Sequence, residues 1–281
     1  MRKFHEKPNL YLGQISIKVT NIEKSLAFYQ KIIGFQIMAQ NEREVTLSAD
    51  GVTPLLTIVQ PNEVHPKENR TTGLYHFALL LPTRADLASF LRHAVDKKIT
   101  IGASDHLVSE AIYLDDPDGN GIEVYCDRPA SDWIWTNGEV EMTTNPLDSE
   151  SLFAENDAGW NGLPKNTTMG HIHLHVADLE ETENFYVSGL GYKVVSHYPG
   201  ALFVSTGGYH HHVGLNIWKG TGIPAPDENS VGLNWYTIVF ANEGVRKETV
   251  KNLKNIGTQV VKYQDHYMTT DPSGNKIQLV V

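Results

Sequence analysis

The chain of 281 residues repeats itself, and the repeat limits its fold more than any other feature. The segment GQISIKVTNIEKSLAFYQKIIGF, residues 13 to 35, lies over GHIHLHVADLEETENFYVSGLGY, residues 170 to 192, without a gap. Gly13, Val19, Phe28, Tyr29 and Gly34 fall on Gly170, Val176, Phe185, Tyr186 and Gly191. At nearly the same offset GLYHFALLL (73 to 81) lies over GLNWYTIVF (232 to 240), and DPDGNGIEVY (116 to 125) over DPSGNKIQLV (271 to 280). The two halves are copies of one another, so one supersecondary solution must serve both.

Each half divides again. All four segment starts alternate apolar and polar residues as a strand does, then pass into a helical stretch and back to strand patterns. The helical stretches read as Ile22–Ile33, Arg84–Lys97, Leu179–Ser188 and Glu243–Asn255. The unit is βαβββ, and four of them cover about 10–62, 73–127, 168–220 and 231–281. The fold class is therefore α+β: an N-terminal half (1–127) and a C-terminal half (168–281), each of two modules, with a linker at 128–167. That linker carries three tryptophans among Asn, Thr, Gly, Pro and Asp. It is too long for a turn, which makes it either a packed excursion or a hinge. Its tryptophans read as packing anchors.

Charge narrows the partners. Thirty-three acidic residues against 23 basic give a formal charge of -10, the wrong sign for a protein that must neutralise phosphates, so nucleic acid and anionic membranes are not the expected partners. No apolar stretch is long enough for a signal peptide or a membrane span, and the expected location is cytoplasmic. A single cysteine, Cys126, excludes an internal disulfide and any cysteine cluster. Any metal site would have to draw on carboxylates and the 13 histidines.

Strand alternation sorts those histidines. In the first strands, Ile15, Ile17 and Val19, and likewise Ile172, Leu174 and Val176, form the apolar face that packs under a helix. The opposite face carries Gln14, Ser16 and Lys18 in module 1 and His171, His173 and His175 in module 3. By register His76 of module 2 and Trp235 of module 4 share that side. In the last strands Ile122 and Val124 face the helix and Glu123 the other way, where module 4 has Gln278. In GYHHHVGLNIW, residues 208 to 218, the apolar set Val213, Leu215 and Ile217 puts His210 and His212 on the cavity side and His211 off it.

Four such modules, with GHIHLHVADLEE followed by FY and with YLDDPDGNGIEVY, resemble the vicinal oxygen chelate superfamily, which includes glyoxalase I, bleomycin-resistance proteins and type I extradiol dioxygenases. The resemblance covers nearly all of the chain outside the linker. It implies that paired modules close curved sheets around a metal-centred cavity. The superfamily draws one ligand from a first strand, another from the partner's first strand and a carboxylate from the partner's last strand. Carried over, modules 2 and 3 supply His76, Glu123 and His171, a two-histidine, one-carboxylate set suited to Fe(II), with Mn(II) also accommodated. Modules 1 and 4 supply Gln14, Trp235 and Gln278, a poor set. Pairing module 2 with 3 gathers every intact ligand, and it is the preferred arrangement over pairing within each half.

The stretch DHLVSEAIYLDDPDGNGIE, residues 105 to 123, is similar to the extradiol signature, with His106, Ile112, Tyr113, Asp116, Pro117, Gly119 and Glu123 at matching spacings. Ser104 departs from it. The module 4 counterpart has Met268 for the tyrosine and Gln278 for the glutamate. The family's catalytic histidine precedes an apolar strand in the module that gives the first ligand, and resemblance and parity together select His212, with His211 as alternative. The resemblance thus implies His212, Tyr113 and His106 as catalytic residues, and a small aromatic diol with O2 as substrates, in the manner of bacterial catechol 2,3-dioxygenases. It leaves a homo-oligomer open.

Each feature has an ordinary explanation alone: DPDGN makes a good hairpin turn, and a strand histidine is commonly an interior hydrogen-bonding group. The metal reading rests on three separate segments supplying suitable atoms at equivalent strand positions. Two other functions fit the same residues. A glyoxalase-like lyase or thiol transferase would use Gln14, His76 and Glu123, although Thr57 stands where glyoxalase I has a second carboxylate. A non-catalytic binding protein of the bleomycin-resistance type would need none of the triad.

Overall fold

A computed structural model describes residues 2–281. Module 1 comprises β1 (Tyr11–Lys18), α1 (Ile22–Phe28), β2 (Gln36–Gln40), β3 (Glu44–Ser48) and β4 (Pro54–Val59). Module 2 comprises β5 (Gly73–Leu80), α2 (Arg84–Asp96), β6 (Gly102–Asp105), β7 (Ser109–Asp115) and β8 (Gly121–Asp127). The linker holds a two-strand hairpin, β9 (Trp135–Thr136) and β10 (Glu139–Val140), and then α3 (Ser149–Glu155). Module 3 comprises β11 (Thr168–His175), α4 (Leu179–Glu183), β12 (Lys193–Tyr198), β13 (Ala201–Ser205) and β14 (Val213–Asn216). Module 4 comprises β15 (Gly232–Val239), α5 (Glu243–Asn255), β16 (Val260–Lys262), β17 (Tyr267–Thr270) and β18 (Lys276–Val280).

The turn from first strand to helix is set locally and in the same way four times. Asn21, Thr83, Asp178 and Asn242 each stand at the helix N-cap in extended conformation and accept the backbone N–H three residues on. Each such cap contributes about 1 kcal/mol. The helices of modules 1 and 3 are shorter than the periodicity predicts. Each gives way to a wider π-helical turn, Tyr29–Ile33 and Asn184–Gly189, in which Tyr29 and Tyr186 are fully buried.

The sheets cross between the halves. Strand order in one eight-stranded sheet is β16-β17-β18-β15-β1-β4-β3-β2, and in the other β12-β13-β14-β11-β5-β8-β7-β6. Module 1 therefore pairs with module 4 and module 2 with module 3, through antiparallel contact of first strands. Ser16 lies opposite Trp235, and His173 opposite His76. The predicted apolar face is the core: Ile15, Ile17, Val19, Ile172, Leu174, Val176, Ile122 and Val124 are all buried.

A second set of contacts runs within each half. The Tyr29 hydroxyl of module 1 donates to Asp116 of module 2 at 2.9 Å, and Tyr186 of module 3 donates to Asp271 of module 4 at 3.2 Å. These are the FY and DPxGN motifs of the repeat, and each pair locks one sheet to the other. Burial raises the pKa of both aspartates, offset in part by hydrogen bonds from Asn120 and Asn275.

The linker is a packed excursion. Leu163 N–H donates to the Gly34 carbonyl at 3.0 Å, and a side chain on Gly34, which has φ 93°, would collide with Gly162. Trp133 is buried beside Phe4, and Trp160 packs edge-on to Phe90, so two of the three tryptophans anchor it; Trp135 is exposed. Arg84 at the start of α2 grips α3 through Ser151 and Glu155. Among the described residues no helix is long and apolar enough to cross a membrane.

Candidate metal centre and its cavity

Ala78, midway along β5, organises the site. Glu123 lies beside it on β8 and His171 on β11, while His76 precedes it by two residues on the same face. Three chain segments thereby aim one donor each at one point. His76 Nε2 and His171 Nε2 both lie 3.0 Å from Glu123 Oε2, and the three donor atoms fall within 4.8 Å of one another. All three side chains are buried. Among the described residues this is the group of three or more potential ligands that comes together.

The electrostatics favour a cation there. Burial alone would raise the Glu123 carboxyl, yet the imidazoles outweigh it, His171 above all, and hold it well below the usual carboxylate range. Burial lowers the pKa of His171, and lowers His173 further with help from His76 and His171. His76 Nε2 is buried and meets no partner in good hydrogen-bond geometry, although it lies 3.0 Å from the Glu123 carboxylate. Two imidazoles, which bind metal through a bare nitrogen, and one carboxylate make a donor set suited to a divalent first-row metal. Gly170 permits the arrangement, because a Cβ there would run into the Tyr125 hydroxyl.

The donors open into a cavity of about 240 Å³ with Tyr75, Tyr113, Phe203, Trp218 and His173 among its walls. Tyr113 and His106 both line it, as the signature predicts. His106 Nδ1 lies 2.6 Å from the Thr143 carbonyl, which can only accept. Nδ1 therefore carries the proton, and Nε2 accepts from the Tyr113 hydroxyl at 2.6 Å. The Tyr113 oxygen, its proton given to His106, can still accept a hydrogen bond. Its pKa stands well above the ordinary phenol value, through burial first and the charge of Glu123 second.

His212 is not where strand alternation puts it. It is fully buried outside the cavity, with Nε2 donating to the Phe4 carbonyl at 3.0 Å and Nδ1 accepting from Ser205 Oγ at 2.9 Å. Both nitrogens are engaged, and the ring is packed against His5 and Tyr209. His211 lines the cavity instead, its ring centroid 4.1 Å from that of His171. The reason is local: β14 begins only at Val213, and the preceding turn contains Gly207 and Gly208 with φ of 66° and 75°, so two-residue alternation does not extend back through it. His212 is covered instead by the N-terminal segment, through Phe4 and His5.

His173 also reaches the cavity, held by Asn216, whose amide donates to its Nε2 at 2.9 Å while Asn216 Oδ1 accepts from His175 Nδ1 at 2.8 Å. His210 faces away from the metal donors, toward Asp127. Gln14 sits in the other sheet and donates to Thr57 at 2.7 Å. Sequence reasoning missed the linker residues Met142, Thr143 and Thr144 as cavity wall, along with Tyr75, Phe203 and Trp218. Tyr75 escaped it because alternation puts the neighbour of His76 on the opposite face, and the register shift in the β5–β11 pairing at this point breaks that alternation; the linker wall had no local signal.

The model of the family described as Glyoxalase/Bleomycin resistance protein/Dioxygenase superfamily matches residues 11–124 and again 168–279. The chain is 42% identical over 287 residues to the catechol-2,3-dioxygenase of Bacillus subtilis (strain 168), covering 100% of each. It is 28% identical to biphenyl-2,3-diol 1,2-dioxygenase 3 of Rhodococcus globerulus over 118 residues, 40% of this chain and 62% of that one. Among solved structures, glyoxalase I from Zea mays superposes with a TM-score of 0.58 at 14% identity, covering 96% of this chain and 92% of the other. That likeness is one of fold.

Proposed function

The chain belongs to the Glyoxalase/Bleomycin resistance protein/Dioxygenase superfamily, and from that premise we propose that it is an extradiol ring-cleaving dioxygenase, opening a catechol-type diol with O2 at a site that holds Fe(II). The observation that carries this reading is the convergence of His76, Glu123 and His171 at the floor of an aromatic cavity that also presents His211, Tyr113 and His106. The full-length relative named for catechol cleavage and the shorter relative named for biphenyl-2,3-diol cleavage support a ring bearing adjacent hydroxyls as the substrate. The cavity, about 240 Å³, is slightly smaller than the usual small-molecule site, which favours a compact substrate of one ring.

When bound, Fe(II) with three protein donors would keep positions open for the two diol oxygens and O2, and would supply the electron route that spin-paired catechol and triplet O2 lack. Mn(II) accepts the same donors. The chain's own groups hold the ring and move protons. Tyr113, already donating to His106, accepts from a substrate hydroxyl. His211 takes a proton as the diol ionises and returns it to the opened product, a task suited to an imidazole. Phe203, Tyr75 and Trp218 present ring faces and edges to an aromatic substrate. A glyoxalase-type site built on Gln14 with His76 and Glu123 finds no support, because Gln14 belongs to the other sheet.

The test loads the protein with Fe(II) without air, adds catechol and admits O2. The expected result is O2 uptake equal to the diol consumed, with a yellow ring-opened product, lost in His171→Ala and kept in Gln14→Ala. A protein that binds Fe(II) tightly yet consumes no O2 with catechol, 3-methylcatechol or 2,3-dihydroxybiphenyl would overturn the proposal.

A further inference from the structure

Behind His211 lies a file of hydrogen-bonding groups that the reaction as described leaves unused. His210, fully buried, places Nε2 2.8 Å from Asp127 Oδ1 and Nδ1 2.8 Å from Nδ1 of His211. Asp127 is itself buried at the end of β8 and also accepts from the Tyr209 hydroxyl at 3.2 Å. Tyr209 in turn shares a hydrogen bond of 2.7 Å with Tyr125, whose ring packs 4.9 Å from that of His171. Among the described residues, the ion pair of Asp127 is with His210.

The direction of each bond follows from its neighbour. A carboxylate can only accept, so the His210 proton in that contact sits on Nε2. Neutral His210 then has a lone pair at Nδ1, and the Nδ1 to Nδ1 contact requires a hydrogen from His211. That leaves Nε2 of His211 as the bare nitrogen; among the described residues, the hydrogen bond of the His211 ring is the one at Nδ1. We propose that Asp127, through His210, is a positioning residue that fixes the tautomer and ring orientation of His211 so that Nε2 is the basic nitrogen in the cavity. The inference rests on the reading of His211 as the group that takes the substrate's proton. The arrangement is a carboxylate–imidazole–imidazole chain, longer by one ring than the carboxylate–imidazole pair that orients a catalytic histidine in serine hydrolases.

The decisive variant is Asp127→Asn. Its amide has nearly the same shape but can donate to His210 Nε2, which moves the His210 proton to Nδ1, makes His211 accept at Nδ1 and puts the His211 proton on Nε2. In the Fe(II) enzyme the expected result is a fall in kcat of at least about 100-fold with KM for catechol changed by no more than about threefold, by analogy with the loss on inverting a triad tautomer. Fe(II) stoichiometry by anaerobic titration and the melting temperature should stay near wild type. In metal-free protein selectively labelled with 15N-histidine, the His211 signals should show unprotonated Nε2 in wild type and unprotonated Nδ1 in Asp127→Asn. Tyr209→Phe removes the other bond to the same carboxylate without altering the proton order, and should leave kcat within about threefold and the tautomer unchanged.

Wild-type kcat and an unchanged His211 tautomer in a folded Asp127→Asn protein would overturn the inference. So would an equal loss in Tyr209→Phe, which would reduce Asp127 to a packing role. If Asp127→Asn does not fold, a wild-type spectrum with the His211 proton on Nε2 overturns the inference by itself. Failure of the underlying reading looks different: His211→Phe would retain turnover, or the wild type would cleave no diol, while the nitrogen spectra would still report the tautomer.

Discussion

The hydrogen bond between Tyr113 and His106 has a direction forced from outside the pair. The Thr143 carbonyl takes the His106 Nδ1 proton, so the phenol must donate to Nε2 and its oxygen is left to receive. Tyr113→Phe should lower kcat by about 100-fold, in the range seen when one oriented hydrogen-bonding group is removed from an active site. Metal affinity should be unchanged, because Tyr113 is no ligand; steady-state kinetics beside anaerobic Fe(II) titration separates the two. Glu123→Gln removes the one anionic donor and should weaken Fe(II) binding by more than the roughly 10- to 100-fold typical of changes around a metal's ligands. At this scale the sequence was legible where a residue sat inside a regular strand. His76, Glu123 and His171 lie in β5, β8 and β11, where alternation holds, and they converge. His212 lies in a glycine-containing turn, and what buries it is Phe4, 208 residues away in the chain. No pattern near residue 212 encodes that contact.

Between residue and molecule, the linker does most of what the modules alone do not. Arg84 on α2 forms a two-point contact with Glu110, at 2.6 and 3.1 Å, and continues to Ser151 and Glu155 on α3. Glu110 is almost wholly buried, and Arg128 at 3.3 Å is its other cation. Arg84→Ala would leave Glu110 with the longer partner and free α3 from α2. The expected cost is about 2 kcal/mol, the order for stripping one partner from a buried hydrogen-bonded charge. Urea unfolding measures it, and limited proteolysis should show new cuts near residues 157–159, where the chain is exposed after α3. Wild-type stability with wild-type cutting would show that the linker is held by its tryptophans alone. Module boundaries and helix N-termini were readable because caps and apolar periods are local. The π-helical turns were not, since the residues that need them, Tyr29 and Tyr186, bond to aspartates in the next module.

On the scale of the whole molecule, two sets of bonds run in different directions. Sheets join module 1 to 4 and 2 to 3, while the tyrosine–aspartate pairs join 1 to 2 and 3 to 4. His76 and Glu123 come from one half and His171 from the other, so residues 1–127 or 168–281 expressed alone should bind Fe(II) at least about 100-fold more weakly than the full chain, each also exposing both of its first strands as unpaired edges. The same interlocked burial sets the response to acid. Burial lowers the pKa of His5 and His175 to about 4, and lowers His171, His173, His211 and His212 as well. In the unfolded chain these imidazoles titrate near about 6.5. Between those values the unfolded state binds protons that the folded state does not, so the stability is fully present above about pH 6.5 and is lost as pH falls toward 4. Each net proton contributes a slope of about 1.4 kcal/mol per pH unit. Asp116 and Asp271 act oppositely: burial raises their folded pKa, so the folded state takes up their protons first as pH falls through the carboxylate range. Six lowered imidazoles outnumber two raised carboxyls, and the net slope is a loss toward acid. Urea midpoints of metal-free protein at pH 7.5, 6.0 and 5.0 should fall at each step, and His5→Gln should reduce the slope by about one proton. A midpoint flat across that range would mean that the imidazoles take up protons in the folded protein as readily as in the unfolded chain.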